Sequence, residues 1–210
     1  MKFMRETANL AGRQNRRTNC AERGSRQIAA IFAPLALAAF FFCGLAQANS
    51  PDEYQVKAAF LFNFAKFVDW PRGTYASPRA PFAICILGKD PFGGALDEVL
   101  AGKAMQNHPV SVLRLKDRWE GRRCQIIFVS SSETRNYPEI IEALRGSSVL
   151  TVGETGGFAA LGGTIEFTIE NDRVRFAINP EAARRAGLKC SSRLLALARI
   201  VHDASAGGSS

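Results

Sequence analysis

The chain has 210 residues, 47% of them hydrophobic, with 27 basic and 19 acidic side chains, two histidines and five cysteines. Seven of the basic and two of the acidic residues lie in the first 26 positions. The remainder carries 20 against 17, about +3, without arginine–aromatic interleaving, which argues against a nucleic-acid surface. His108 precedes Pro109 and His202 lies in the tail, which argues against a Ser-His-Asp or Cys-His centre and matches no cysteine–histidine metal spacing.

The first 48 residues read as a cleaved signal peptide. A basic stretch to Arg26 precedes an apolar run, Ile28 to Leu45, broken by Pro34, and Ala46-Gln47-Ala48 supplies the small-residue cleavage pattern. The basic region is long, which leaves Met4 as an alternative start. Phenylalanines directly precede Cys43, where a lipid-modification site needs small residues. The expectation is export to the periplasm of a Gram-negative cell. About 162 residues remain after Ala48, enough for one domain with its own core, expected over 49–203, with a disordered tail over 204–210.

The mature chain opens on YQVKAAFLFNFAKFVDWP, residues 54–71, with four Phe, one Tyr and one Trp. Val56, Phe60, Phe64 and Phe67 recur as one helical stripe, and Lys57, Asn63, Lys66 and Asp69 fall between them as the polar side. Trp70-Pro71 stops the helix. Pro81 to Leu87 is an almost wholly apolar run, as expected of a strand covered on both faces. Asp90-Pro91 predicts a helix start. Val110 to Leu115 reads as a second strand and Gln125 to Val129 as a third. Ser130 to Ser132 then caps a helix that carries Ile140, Ile141 and Leu144 and ends at Gly146. Val149 to Val152 is a fourth strand, followed by a glycine-rich loop. Alternation at Ile165, Phe167 and Ile169, and at Val174, Phe176 and Ile178, predicts a hairpin around Asn171-Asp172. Asn179-Pro180-Glu181 caps a further helix ending near Gly187. A last helix from Ser192 carries Leu194, Leu195, Leu197, Ala198 and Val201. The expected class is α/β: a three-layer sandwich with a mostly parallel sheet plus a C-terminal antiparallel hairpin, flanked by helices.

Cys20 and Cys43 leave with the signal peptide. Of the remaining three, Cys85 in the first strand and Cys124 at the edge of the third lie on strands that neighbour each other in common doubly wound orders. An oxidising compartment favours a Cys85–Cys124 bridge, which leaves Cys190 as a free thiol, buried or redox-reactive. Gly153 to Gly157 with Gly162-Gly163 lacks the lysine and hydroxyl of a phosphate-binding loop and the spacing of a dinucleotide fingerprint. Its alternatives are a flexible loop at a strand end or a ligand loop. A ligand loop would draw on Gly88, Ser130, Ser131, Gly153, Thr155 and Gly156 at the sheet's carboxyl edge. Hairpin alternation sends Glu166 and Glu170 to one polar face, so Glu154, Glu166 and Glu170 make no convincing acid/base pair. No cofactor is expected.

Four blocks then carry a resemblance. YQVKAAFLFNFAKFVDWP is followed by FAICILGKDPFGGALDEVLAGK at 82–103, CQIIFVSSSE at 124–133 and SVLTVGETGGFAALGGTIEFTIENDRVRFAINPEAARRAGLKCSSRLLALARIV at 148–201. In this order they resemble the YfiR-like family over nearly the whole mature chain. The resemblance implies a non-enzymatic periplasmic repressor. It would bind the periplasmic sensor domain of an inner-membrane diguanylate cyclase, lower cyclic-di-GMP and so restrain biofilm, and be sequestered by an OmpA-like outer-membrane lipoprotein. A homodimer is a further expectation. Cys85 and Cys124 match the family's disulfide between the first and third strands. Its second disulfide, in the region of Ala159 to Glu166, has no cysteines here, and Cys190 stands where relatives often have an aliphatic residue. Lys57, Lys66, Trp70 and Arg175 are the candidate partner contacts, each with a plainer reading as a solvated charge or core aromatic. The alternative function is a small-ligand-binding sensor module acting on a membrane histidine kinase or transporter.

Overall fold

The structure, a computed structural model, describes residues 52–75 and 77–204. The signal peptide expected over 1–48 and residues 205–210 of the expected tail lie outside the described residues. Among the described residues no helix is long and apolar enough to cross a membrane.

Helix α1 spans Glu53–Phe67 and is capped by Asp52, whose carboxylate accepts from the Tyr54 N–H. Its buried face consists of Lys57, Ala58, Leu61, Phe64 and Ala65. The expected stripe is therefore displaced around the helix: Phe64 is shared, whereas Val56, Phe60 and Phe67 are only half-buried. Small Ala58 and Ala65 allow close approach to the sheet, while Phe60 and Phe64 lean over the hairpin, 5.5 and 5.1 Å from Phe176. Beyond α1, strand β1 (Val68–Asp69) pairs antiparallel with β9 (Lys189–Cys190) as a separate two-stranded sheet.

The main sheet has eight strands. They are β2 (Phe82–Leu87), β3 (Ala104–Met105), β4 (His108–Leu115), β5 (Ile126–Val129), β6 (Leu150–Gly153), β7 (Ile165–Glu170), β8 (Arg173–Ile178) and β10 (Arg199–Ile200). Their order is β10-β8-β7-β6-β5-β2-β4-β3. The central five, β7, β6, β5, β2 and β4, are mutually parallel; β8 returns antiparallel to β7, and β3 antiparallel to β4. Taken in chain order, the parallel strands lie 2-1-3-4-5, a common doubly wound arrangement whose ligand crevice opens between the carboxyl ends of the first and third, here β2 and β5.

Both faces of the sheet are covered. Phe82, Ile84 and Ile86 of β2 enter the larger core under α1, α2 (Ala95–Leu100) and α5 (Ser192–Ala196). Ala83, Cys85 and Leu87 enter the second core, under α3 (Tyr137–Ala143) and Phe158. Period-2 alternation and continuous apolarity are thus compatible, since each face has its own core. The β7–β8 hairpin turns at Asn171 and Asp172, with φ of 50° and 57°, which is the two-residue primed turn that matches strand twist. Asn179 caps α4 (Pro180–Arg185) by accepting from the Ala182 N–H at 3.0 Å.

Three expectations change. The helix foreseen at Pro91 begins only at Ala95: the Asp90 carboxylate accepts from the Phe92 N–H in a local turn, and Gly93 at φ 55° interrupts helical geometry. The last helix ends at Ala196, and the chain passes into β10, parallel to β8. Leu197, foreseen on that helix's apolar face, is therefore exposed. Glu166 is buried, not on a polar face, because the 155–163 loop folds over it and its carboxylate accepts from the Ala159 N–H at 3.0 Å.

Cys85 and Cys124 form a disulfide with Cα atoms 6.0 Å apart, inside the second core. The loop it closes spans 39 residues, for which chain entropy gives about 4 kcal/mol, an upper figure for a native bridge. Replacing both cysteines by alanine is expected to lower unfolding free energy by about 2–4 kcal/mol in urea titration, and a loss well under 1 kcal/mol would contradict the bridge's structural role.

Candidate functional site

The carboxyl edge of the sheet gathers the ends of β2, β5 and β6 with the first turns of α1. Lys57 donates to the Glu154 carboxylate at 2.8 Å and to Glu53, four residues earlier on α1, at 2.6 Å. The Lys57 and Glu154 side chains are each only 4% exposed. The second oxygen of Glu154 accepts from the Ser131 N–H at 3.0 Å. One carboxylate therefore ties α1, the loop after β6 and the loop after β5 together.

Burial alone pulls the Lys57 ammonium towards neutrality, but its bonds to Glu154 and Glu53 outweigh this and hold its pKa above the ordinary lysine value. Burial likewise pushes Glu154 up, and Lys57 with the Ser131 N–H reverses the shift, so the carboxyl stays below its usual range. Both groups are charged. The ammonium also lies 4.6 Å from the centroid of the Tyr54 ring, which packs edge-on against Phe92 at 5.5 Å. Burial and the negative Glu154 raise the Tyr54 hydroxyl.

The crevice between β2 and β5 is bordered by the same loops. The Ser132 hydroxyl accepts from the Lys89 N–H at 2.9 Å, and a Cβ placed on Gly88 would sit 2.5 Å from it. Gly88, at φ 92°, is required both for the turn and for this approach. Arg114 braces the outer side, bonding Asp90 at 2.9 Å and Asp97 at 2.5 Å. Ser130 is buried and acts as a cap, its hydroxyl accepting from the Ser132 N–H at 3.4 Å. Thr155 faces Thr134, hydroxyl to hydroxyl at 3.2 Å. Gly156 is exposed, and Gly153 underlies Phe158, whose ring a Cβ there would strike at 2.4 Å. Of the sequence-derived loop residues, Gly88 lies against Ser132, the Ser130 N–H donates to the Leu87 carbonyl, Ser131 bonds Glu154 and Thr155 faces Thr134. Glu154 was rejected as an acid/base partner on sequence grounds, and its part in organising this edge has no local sequence signal.

The candidate partner contacts separate. Lys57 is 3% exposed and turned inwards onto two carboxylates. Trp70 is half-buried against Phe82, ring centroids 5.2 Å apart. Lys66 is exposed on α1, over the Phe62 ring at 4.3 Å, and Arg175 is exposed on β8. Cys190 is a half-buried free thiol in β9, and burial pushes it up to about 11, away from thiolate chemistry. Among the described residues no group of three or more His, Cys, Asp or Glu is placed to hold a metal ion.

A family model described as YfiR/HmsC-like matches residues 54–199. Two solved structures resemble the chain weakly. A conserved domain protein from Vibrio cholerae is 11% identical with a TM-score of 0.48, over 70% of this chain and 59% of that one. The ABC domain in complex with L-Trp from Streptococcus pneumonia is 12% identical with a TM-score of 0.48, over 71% and 60%. The chain thus spans about six-tenths of each, and neither likeness bears on function.

Removing one member of a buried ion pair strands the other. Lys57→Met is therefore expected to cost about 3–5 kcal/mol of stability, and Lys57→Met with Glu154→Leu to recover much of that, measured as a double-mutant cycle in urea. The pH dependence has two limits. The contribution of Glu154 is complete above its ordinary 4.5 and is lost as pH falls through its lowered folded value; that of Lys57 is complete below 10.5 and is lost as pH rises through its raised folded value. The penalty in the single variant should accordingly be flat between those limits and shrink outside them.

Proposed function

Because the chain belongs to the YfiR/HmsC-like family, we propose that it is a non-catalytic periplasmic regulator. It binds the periplasmic sensor domain of an inner-membrane diguanylate cyclase and holds cyclic-di-GMP production down. An outer-membrane lipoprotein of the OmpA-like kind is the counterpart that relieves the repression.

The observation that carries this reading is the occupancy of the sheet's carboxyl edge by the protein's own groups. Open α/β sheets of this order bind small ligands between the carboxyl ends of the first and third parallel strands. Here the Glu154 carboxylate takes the Ser131 N–H and the Lys57 ammonium, and Ser132 fills the space beside Gly88. An incoming anion at that edge would have to displace a doubly bonded, desolvated carboxylate. That favours a scaffold acting through its outer surface over a sensor reading metabolites at this crevice.

On that surface Lys66 and Arg175 remain as partner contacts. Both side chains stand in solvent, so reversing their charge alters recognition at little cost to the core. Deleting the gene should raise intracellular cyclic-di-GMP, and supplying the exported chain should restore it. Supplying an Arg175→Glu chain should restore it only partly while its unfolding midpoint stays unchanged. An unaltered cyclic-di-GMP level in the deletion strain would contradict the cyclase link.

A further inference from the structure

A second surface of the molecule has the form of a binding site and takes no part in the reading above. A cleft of about 440 Å³ lies between α3, α4 and the loop Ala160–Gly162, within the size range of sites for small organic ligands. Ile141, Leu144, Leu161 and Ala182 give it apolar walls, and Arg145 and Arg185 stand in its lining. Its floor is Thr151 and Thr164, both buried, with the Thr164 N–H donating to the Thr151 hydroxyl at 2.9 Å. Leu161 is 51% exposed, a large apolar side chain left in water beside the cleft.

The chain after β10 crosses this cleft as a strap. The Val201 N–H donates to the Ile178 carbonyl at 2.8 Å, continuing the β10–β8 pairing, and the Ala204 N–H donates to the Ala160 carbonyl at 2.8 Å. Between them Asp203 presents both carboxylate oxygens to Arg185, at 2.6 and 3.0 Å, and accepts from the Asn179 side-chain amide at 2.7 Å. This is the planar, two-bonded geometry in which arginine recognises a carboxylate. The pair is about half exposed on both sides, 48% and 44%, so it contributes little and exchanges readily. If Asp203 leaves, the Asn179 amide keeps one bond, to the Ala159 carbonyl at 2.8 Å, and its second N–H, in a fully buried residue, requires that the carboxylate replacing Asp203 accept from it as well.

We propose that this cleft binds a small organic carboxylate with an apolar body, and that Asp203 occupies the position of the ligand's carboxylate in the free protein. The apolar body lies against Ile141, Leu144 and Leu161, and the ligand's carboxylate replaces Asp203 on Arg185. Release of Asp203 loosens the strap, and with it the two-residue edge strand β10 that the strap continues.

Octanoate is the probe, with octan-1-ol as the uncharged control, and the mature chain of residues 49–210 is the protein. Isothermal titration should show octanoate binding the wild type. It should bind Asp203→Asn about tenfold more tightly, because the competing carboxylate is gone, and Arg185→Gln about tenfold more weakly. The alcohol should bind neither preferentially. In the wild type, NMR titration with octanoate should move the amides of Leu161, Thr164 and Val201 together. This arm stands even where a substitution impairs folding. Absence of amide shifts at millimolar octanoate, or binding that Arg185→Gln leaves unchanged, would overturn the proposal.

Discussion

A lysine ammonium taken out of water must be met by a carboxylate at hydrogen-bond distance, and Lys57 is met by two. Everything at the carboxyl edge follows from that constraint. To reach Glu154, the helix presents Lys57, Ala58, Leu61 and Phe64 inwards and leaves Val56, Phe60 and Phe67 only half-buried. To reach Lys57, the loop after β6 must carry its first residue under α1. The remaining oxygen of Glu154 then draws in the backbone of the loop after β5. Such a pair adds little net free energy beside well-packed apolar residues, but it is unforgiving of the loss of either partner. It selects one docking of α1 on the sheet over the neighbouring ones that an aromatic-rich helix could adopt.

The consequence for function is that, on the α1 side of the sheet, the protein's own groups occupy the crevice its strand order would ordinarily offer. The loops after β5 and β6, which could cradle an anion, are instead tied together through the Glu154 carboxylate. The bracing continues outwards through Arg114, Asp90 and Asp97, and inwards through the disulfide on the opposite face of β2. A rigid body of this kind suits recognition by surface. A regulator that must hold a partner in one conformation needs pre-organised contacts and little internal freedom. The strapped cleft between α3 and α4 sits apart from this closed edge, and its half-exposed Arg185–Asp203 pair contrasts with the buried Lys57–Glu154 pair in the ease with which it can exchange.

Much of the architecture was legible in the sequence, for identifiable physical reasons. Central parallel strands are covered on both faces, so PFAICIL and QIIFV stand out as apolar runs. The hairpin announced itself by alternation around Asn171-Asp172, and the Cys85–Cys124 pairing followed from neighbouring strands. What escaped depends on contacts distant in sequence. Lys57 looks like an ordinary solvated charge because its partner lies 97 residues away. Glu166 looks exposed because nothing local shows that Phe158 and its loop fold back over it. The final helical pattern holds through Leu195, yet Arg199 and Ile200 leave it to pair with β8, a tertiary contact that overrides periodicity. The shortened helix after Asp90 was readable in principle, since Gly93-Gly94 is a visible interruption. At the site, the glycines and serines were found but their meaning was not, because the group that fills the crevice is a glutamate with no motif around it.

The most direct test of the closed carboxyl edge is a pH titration followed at the Ser131 amide by NMR. The Ser131–Glu154 bond predicts that the amide reports a single carboxylate titrating below the ordinary glutamate value of 4.5, and that Glu154→Gln removes the transition. A Ser131 amide that titrates at or above that value, or that shows no carboxylate transition in the wild type, would contradict it.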